Sequence, residues 1–255
     1  MEVDKPAIEK LAERLMRKGP IKTLDTSRRI RIVFHGVTIA DTTYATYVWE
    51  HEEYPYLYMP YIAFSHTTNE GGKDIGKLKV LGFGTAAAIR KAKAPYKARH
   101  LSGMIRVEFD NAIWYEEELR IDVHPKDPFR RVDLLPSHRP IKIRIRGQQI
   151  AESDFAWHVH ETGKPCRYYV HRSKVESRKL LASPTVTHCP YKGKAVWFDV
   201  EIFDDKREER ITVLDLAWQF TERTWESERL RHFICFKHEN EHVEVEVDGK
   251  IMFGR

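Results

Sequence analysis

The sequence predicts a mainly β protein, with two related and compact antiparallel domains of barrel-like or sandwich type preceded by one amphipathic helix. Two observations predict this fold class. Residues 30–60 repeat as residues 141–171 at a constant offset of 111 positions, and self-similarity of that length indicates that a whole structural unit was copied. Beyond the first twenty residues, apolar side chains recur mostly at the period of a β-strand.

The first element is the helix. Asp4 suits its N-cap and Pro6 its first turn, and Gly19-Pro20 ends the pattern. Between these signals the apolar residues follow a helical period: Ile8, Leu11, Ala12 and Leu15. We expect one helix over about residues 5–18, whose apolar stripe packs on the following domain or, alternatively, in a partner's groove.

Each copy of the repeat then begins as a β-hairpin. Ile30 and Ile32 alternate with their neighbours before Gly36 interrupts the run, and Ile141 and Ile143 do the same before Gly147. Further strands are predicted over residues 104–109, 119–123, 195–203, 211–220, 232–236 and 243–247. Short helical segments are predicted over residues 85–93 and 175–181.

The 255 residues suffice for two ordinary domains, each with its own core. We divide the chain into an N-terminal helix (1–20), a first-repeat β domain (21–123), a connector (124–140) and a second-repeat β domain (141–255). Four prolines in the connector predict a stiff segment.

Composition excludes several classes of protein. Hydrophobic residues make up 42% and charged residues 32%, which is typical of a folded globular chain. No apolar run reaches the roughly 20 residues of a membrane span, and residues 1–5 lack a secretion signal. Three scattered cysteines predict free thiols and, with the preceding observations, a cytoplasmic location. The formal charge of +5 permits nucleic-acid binding without indicating it.

Four segments of the chain carry a family resemblance. They are Arg131-Val132-Asp133-Leu134-Leu135-Pro136-Ser137, Glu161-Thr162-Gly163 with Arg167-Tyr168-Tyr169, Thr187-His188-Cys189-Pro190-Tyr191-Lys192-Gly193, and Phe236 with Glu241–Gly249. Together they resemble the domain-of-unknown-function 427 family in its tandem form, over roughly residues 28–250. The resemblance implies a compact β-barrel-like domain present twice. A nucleotidyltransferase label accompanies the family, but the resemblance implies no established reaction.

The chain also departs from the family pattern. His171 stands where the family usually has proline, and His158-Val159-His160 stands where it has apolar residues. The first repeat has only Ala94-Pro95-Tyr96-Lys97 in place of the Cys-Pro-Tyr-Lys-Gly motif. The second repeat is therefore the better candidate for a functional site.

Glu50 and Glu161 occupy the same position in the two copies, beside a valine two residues earlier. A carboxylate that points inward there must be paired or protonated, and its pKa is then suited to acid–base chemistry. Arg167 or Lys192 is the expected partner of Glu161. The alternative is a structural ion pair kept in both copies.

The segment Cys189–Gly193 places a thiol, a phenol and an ammonium in one turn. Cys189 beside Lys192 could act as a nucleophile with a lowered pKa, and Lys192 could bind an anion or form an imine. In the alternative interpretation Pro190 and Gly193 shape the backbone while Cys189 and Tyr191 pack.

His158 and His160 share one face of a strand, as metal ligands would. Their counterparts in the first copy are Tyr47 and Trp49, which favours the interpretation that these positions need a bulky ring. We expect no metal and no cofactor. The minor alternative is a metal site completed by one more residue: His171, His188 or Glu161.

Two further features have both a functional and a structural interpretation. His124, in the connector, could serve as an acid or base near neutral pH, although its prolines and Asp127 could equally just lock the backbone. Basic residues cluster over 90–100 and 139–146 and could bind phosphate, but such charges more often form a solvated face.

The favoured function is small-molecule binding, with a cofactor-independent, non-redox enzyme using acid–base catalysis as its extension. The alternatives are a nucleotide or nucleic-acid binder and a non-catalytic interaction module that docks through the N-terminal helix. The expected partner is a small organic ligand. The predicted catalytic residues are Glu161, Lys192, Cys189 and His124. The predicted ligand-binding residues are Arg167, Tyr169, Tyr191, His158, His160, Trp218, Glu50 and Tyr58.

Overall fold

The computed structural model describes residues 14–15, 18–65, 67–71, 75–80, 84–91, 101–204 and 208–254. The chain divides into two compact units, residues 1–127 and residues 128–255. The predicted N-terminal helix over residues 5–18 lies outside the described residues except for positions 14, 15 and 18, which are helical.

The first unit contains eleven described strands in two antiparallel sheets. They are β1 (Lys22–Thr26), β2 (Ile30–Phe34), β3 (Val37–Thr42), β4 (Ala45–Trp49), β5 (Tyr56–Pro60), β6 (Thr67–Gly71), β7 (Ile75–Val80), β8 (Gly84–Lys91), β9 (Met104–Val107), β10 (Ile113–Glu116) and β11 (Leu119–Ile121). One sheet has the order β1-β4-β5-β9-β8-β7-β6 and the other the order β11-β10-β2-β3.

The second unit also contains eleven described strands. They are β12 (Val132–Ser137), β13 (Ile141–Ile145), β14 (Gln148–Ser153), β15 (Ala156–Glu161), β16 (Arg167–His171), β17 (Leu180–Cys189), β18 (Gly193–Asp204), β19 (Glu209–Arg223), β20 (Phe233–Phe236), β21 (Val243–Val247) and β22 (Lys250–Phe253). The seven-stranded sheet has the order β12-β15-β16-β20-β19-β18-β17, and the four-stranded sheet has the order β14-β13-β21-β22.

Strand order and register agree between the units. Numbering the strands from the start of each unit gives the same neighbours in both sheets. Tyr47 lies opposite Leu57 in the first unit, and His158 lies opposite Tyr168 in the second, each shifted by 111 positions. Positions separated by this offset can therefore be compared directly in β4/β15 and β5/β16.

The core of the second unit lies between its two sheets. β13 and β21 alternate buried and half-buried residues, which is the pattern of strands with one face against a core. Their buried side chains pack with Tyr168 and Val170 of β16 and Ile234 of β20. The unit is accordingly a two-layer sandwich, within the sandwich or barrel class that the sequence predicts.

The structure differs from the expected barrel-like form in one respect, which is that its described sheets are not closed. A barrel requires its first and last strands to pair, whereas in all four described sheets the end strands have only one neighbour. The described strands therefore form open sheets and no closed barrel.

The six further strands that the sequence predicts between residues 104 and 247 are confirmed, and their ends agree with the prediction to within three residues. The helix predicted over residues 85–93 was wrong, since Gly84–Lys91 forms β8 between β7 and β9. Its alanines favour a helix, but pairing on both sides determines the outcome. Ser177–Lys179 is a single 3₁₀ turn, after which β17 begins. Residues 132–137 of the predicted connector form β12, which pairs with β15.

No helix in the described part of the chain has the length and apolar character needed to cross a membrane.

Candidate functional site in the second unit

The seven-stranded sheet of the second unit is curved at one end. Three strands separate β15 from β18, so residues at their ends would lie about 19 Å apart in a flat sheet. The Lys192 and Glu161 side chains together are too short to bridge that distance, yet the Lys192 Nζ, from the turn before β18, lies 2.7 Å from the Glu161 Oε2 at the end of β15. The sheet therefore bends toward the face that carries Glu161.

Register defines the residues on that face. Cross-strand pairs place Val159 opposite Arg167, Tyr169 opposite Cys235, Cys235 opposite Trp218, and Trp218 opposite Trp197. With alternation along β15, the face contains the following side chains, which we call the tryptophan face: Trp157, Val159, Glu161, Arg167, Tyr169, Trp197, Trp218 and Cys235. A hydrophobic cluster separate from the main core lies on this face.

Glu161 is the centre of an ionic triad. Its Oε1 accepts a hydrogen bond from the Arg130 Nη1 at 2.9 Å, and its Oε2 accepts one from the Lys192 Nζ at 2.7 Å. Burial by itself would raise the pKa of Glu161, but Lys192 and Arg130 outweigh it and hold the pKa below its ordinary value. Glu161 is therefore an ionised carboxylate and a weak base.

The Cys189–Gly193 turn holds Lys192 in place. The Ser227 Oγ donates to the Lys192 carbonyl at 2.9 Å, and the Thr224 Oγ1 donates to the Tyr191 carbonyl at 2.7 Å. Gly193 has φ of +99°, and a Cβ there would lie 1.9 Å from the Glu222 carbonyl oxygen. The glycine is required, and the turn it permits directs Lys192 toward Glu161.

The side chain of Cys189 is partly buried and packs against the hydrophobic cluster of the tryptophan face. The side chain of Tyr191 is half-buried in the same turn. The geometry fits the structural interpretation of this motif, in which Cys189 fills space and the turn positions Lys192.

Arg167 does not pair with Glu161. Its Nη1 donates to the Glu239 Oε2 at 2.7 Å, and its Nη2 donates to the Glu239 Oε1, which makes a bidentate pair. The guanidinium carbon lies 5.3 Å from the centre of the Trp218 ring. His238 Nε2 lies 3.4 Å from the same Nη1, and burial together with Arg167 lowers the pKa of His238 to about 4. The imidazole is thus neutral at neutral pH.

The ring of Trp218, beside Arg167, packs with two other aromatic residues. The Trp218 Nε1 donates to the Tyr169 hydroxyl at 3.2 Å, and the ring centres of Trp218 and Trp197 lie 4.9 Å apart. The Trp197 Nε1 donates to the exposed Thr187 Oγ1 at 2.9 Å. Burial raises the pKa of Tyr169 well above its ordinary value, so its hydroxyl keeps its proton. Trp218 and Tyr169 are buried and Trp197 is half-buried, so Trp197 is the most accessible of the three rings near the oriented guanidinium.

Some predicted site residues lie elsewhere. His158 and His160 lie on the opposite face of β15 from Glu161, because side chains alternate along a strand. His124 belongs to the first unit, where its ring stacks on Tyr54 at 3.6 Å and its Nδ1 lies 2.8 Å from the Pro125 carbonyl oxygen. The predicted set is therefore not one cluster.

Glu50 and Tyr58 form a buried cluster in the first unit. The Tyr58 hydroxyl donates to the Glu50 Oε1 at 2.6 Å, and the Arg106 Nε lies 3.2 Å from the same oxygen. The side chain of Glu50 is 0% exposed and that of Arg106 is 2% exposed. Glu108 also pairs with Arg106. This arrangement fits the structural ion-pair interpretation and leaves the carboxylate closed to solvent.

Each unit has an arginine on the corresponding face of its seven-stranded sheet, but the arginine comes from a different strand in each unit. Met59 pairs with Ile105 and Val170 pairs with Ile234, so Arg106 on β9 corresponds to Cys235 on β20. The guanidinium carbon of Arg106 lies 3.9 Å from the centre of the Tyr56 ring, and Tyr56 corresponds to Arg167. The cation is buried in the first unit and half-buried in the second.

Sequence reasoning missed several residues of the tryptophan face. Trp197 and Cys235 join this face through strand pairing, and Arg130 and Glu239 reach its charged residues from segments outside the strands, so no local motif marks any of the four. Trp197 carried one usable signal, since it lies in a predicted strand that follows the Cys-Pro-Tyr-Lys-Gly motif.

A shallow cavity of about 320 Å³ lies away from the tryptophan face, beside β14. It is lined by Gln149, Ile150, Ala151, Glu152, Ser173, Lys174, Val175 and Glu176. None of the predicted site residues is among them.

Comparison with known proteins gives one family. A family model described as domain of unknown function DUF427, with the label NTP_transf_9, matches residues 22–70 and 133–249. The match is split over two segments, one in each unit, as a tandem form requires. No curated protein matches the chain significantly. Because the two segments cover more than half of the 255 residues, the chain belongs to the DUF427 family.

Proposed function

We propose that the protein binds a small organic ligand on the tryptophan face of its second unit, and that the ligand is an aromatic or heteroaromatic carboxylate. The observation that carries this proposal is the bidentate pair between Arg167 and Glu239 beside Trp218. A guanidinium with this geometry is suited to a planar carboxylate, and the neighbouring indole rings are suited to a flat ring.

Glu239 occupies the position that the ligand carboxylate would take. It lies in a turn with an exposed side chain, whereas Arg167 is half-buried against Trp218. A ligand that displaces Glu239 keeps the charge of Arg167 compensated, so exchange does not leave a buried cation unpaired. His238 and Tyr169 are both neutral next to this position and do not repel an anion.

Glu161 and Lys192 have a positioning role in this proposal. A carboxylate whose pKa is lowered by two cations takes up a proton weakly. The triad instead joins the end of β15 to the β17–β18 turn and so maintains the curl of the sheet. Binding is therefore supported better than acid–base turnover.

Ligand binding can be measured by quenching of tryptophan fluorescence. The probes are benzoate and indole-3-carboxylate, with benzamide as the uncharged control. We expect carboxylates to bind and benzamide to bind at least 10-fold more weakly, because a charged hydrogen-bonded pair contributes about 1.5–3 kcal/mol. Arg167→Lys keeps the positive charge but cannot form the two parallel hydrogen bonds of a guanidinium, and it should weaken binding by about 10-fold or more. Glu239→Gln removes the internal competitor and should tighten binding.

The matched control is Arg131→Lys, at an exposed arginine paired with Asp133. It should leave binding unchanged. Equal affinity for benzoate and benzamide, or an Arg167→Lys variant that binds like the unmodified protein, would overturn the proposal.

Nucleic-acid binding is less well supported. Three basic residues of β13 and its flank are paired with carboxylates: Arg139 with Asp248, Lys142 with Glu152, and Arg144 with Glu244 and Glu246. Paired cations release fewer counterions from a phosphate backbone than free ones. The basic positions 92–100 lie outside the described residues.

We also propose that the two units arose by duplication of one domain. The support is the common strand order and the constant offset in register. A function of the N-terminal helix as a docking element concerns residues outside the described part of the chain.

A further inference from the structure

A second cluster of functional side chains lies on the other face of β15. His158 and His160 are two positions apart on this strand, and Cys166 directly precedes β16. Because Val159 pairs with Arg167, one further step along each strand brings His160 opposite Cys166. The Cys166 Sγ lies 3.8 Å from the His160 Nε2.

The three side chains converge on one point. One ring nitrogen from each histidine and the Cys166 Sγ all lie within 4.8 Å of one another. In a tetrahedral zinc site, with bonds of 2.0–2.3 Å, such donor atoms are roughly 3.3–3.8 Å apart. Rotamer adjustments of about 1 Å would therefore bring the three atoms to coordination distance.

His158 provides an independent observation. It is 6% exposed, and its buried Nε2 has no hydrogen-bond partner. Buried imidazole nitrogens are normally satisfied by a hydrogen bond or by a metal ion. The ring is held by an edge-to-face contact with Tyr168, whose centre lies 4.8 Å away.

The first unit provides a natural comparison. At the offset of 111 positions, His158, His160 and Cys166 correspond to Tyr47, Trp49 and Pro55. Trp49 donates its indole N–H to Asp127 at 3.0 Å, and Tyr47 hydrogen-bonds to Arg28 and Glu116. Tyrosine, tryptophan and proline are not usual zinc ligands, whereas all three residues of the second unit are.

We propose that His158, His160 and Cys166 bind one zinc-class divalent ion. Two imidazoles and one thiolate are donors that zinc prefers, and three protein ligands leave a fourth position open for water. His160 is exposed and Cys166 is half-buried, so an ion can enter from solvent. This proposal differs from the sequence-based expectation of no metal.

Binding replaces the thiol proton. The neutral imidazoles each donate a lone pair, Cys166 loses its proton to solvent, and its sulfur forms the third bond, so one proton is released per ion bound. Burial raises the pKa of the Cys166 thiol, and the nearby Arg139, which is bonded to Asp248 at 2.6 Å, opposes this only in part, so the bound cation itself has to favour the thiolate.

The test uses the full-length protein after treatment with a chelator. Zinc is titrated in competition with a chromophoric chelator, and Co²⁺ is added separately to look for thiolate-to-cobalt charge-transfer absorption. We expect one ion per chain, release of one proton, and the charge-transfer band. Cys166→Ser and His160→Asn should each weaken zinc binding by at least about 10–100-fold, since even loss of an outer contact has that effect.

Cys189→Ser and His188→Ser are the matched controls, since they remove a thiol and an exposed imidazole outside the cluster. Both should bind zinc like the unmodified protein. Circular dichroism identifies any variant that has not folded, and His160→Asn changes only an exposed side chain. Absence of stoichiometric zinc binding, the same loss in Cys189→Ser as in Cys166→Ser, or binding of copper alone would overturn the proposal.

Discussion

The ionic triad at Glu161 gives the most informative test of how the second unit is held together. The side chains of Glu161, Lys192 and Arg130 are 16%, 11% and 19% exposed, so the triad is neither fully buried nor on the open surface. Glu161→Gln removes the charge at nearly constant volume and leaves two cations without their carboxylate. Breaking a buried ion pair lowers the free energy of unfolding by about 3–5 kcal/mol, and breaking an exposed ion pair lowers it by less than about 1 kcal/mol. For this intermediate site we expect a loss of about 2 kcal/mol in the free energy of unfolding.

Lys192→Met should cost less than Glu161→Gln. Methionine preserves much of the aliphatic stem, and Glu161 keeps its hydrogen bond to Arg130. We expect about 1 kcal/mol for this change. The double variant should be little worse than Glu161→Gln, because the ammonium left unpaired by that change is absent. The coupling energy between Glu161 and Lys192 should then be about 1 kcal/mol.

The assay is urea unfolding followed by tryptophan fluorescence. Four of the six tryptophans, Trp157, Trp197, Trp218 and Trp225, lie in the second unit, so the signal reports mainly on that unit. Asp133→Asn, at an exposed ion pair with Arg131, is the control and should change stability by less than about 0.5 kcal/mol. A Glu161→Gln effect no larger than this control, or a coupling energy near zero, would refute the reasoning.

The pH dependence gives a second readout. The folded-state pKa of Glu161 is lowered from 4.5. Its stabilising contribution is therefore complete above about pH 4.5 and is lost as the pH falls through the folded-state pKa. The difference in stability between the unmodified protein and Glu161→Gln should shrink at acid pH. A difference that is unchanged or grows at acid pH would contradict an ion-pair role.

Three further predictions concern backbone, core and thiols. Gly193→Ala places a Cβ against a backbone carbonyl and should therefore lower the free energy of unfolding. The control is Gly163→Ala, whose Cβ has open space at a similar positive φ and which should cost roughly 1 kcal/mol. In urea unfolding, the loss in Gly193→Ala should be well above that of the control. Tyr58→Phe removes the donor to Glu50 and should cost about 1–3 kcal/mol, measured as the loss of amide protection in the first unit. Cys235, fully buried with its pKa raised by burial to about 12, should resist alkylation in the native state at pH 8; rapid labelling would show that its cover opens.

The sequence predicted much of the architecture because β-strands leave a local record. Alternation of apolar residues identified both hairpins at Ile30 and Ile141, and the offset of 111 matched their registers. The alternation failed at residues 85–93, where an alanine-rich run resembles a helix and only pairing with two neighbours makes it β8.

The candidate site was predicted only in part, because its contacts join distant positions. Lys192 was correctly named as a partner of Glu161, but Arg167, the other residue considered, pairs with Glu239 instead. Cys166 was not connected with His158 and His160, since it reaches them only across the β15–β16 turn.

What the sequence determined by itself was most of the strands that it names, the repeat, and the presence of the unusual chemical groups in the second copy. These properties follow from the period and identity of neighbouring residues. The tertiary structure decided which of those groups meet. Curvature brings Lys192 to Glu161 across three intervening strands, and alternation sends Glu161 and His158 to opposite faces of β15. Sheet curvature depends on the packing of all seven strands, so no single segment of the sequence encodes it.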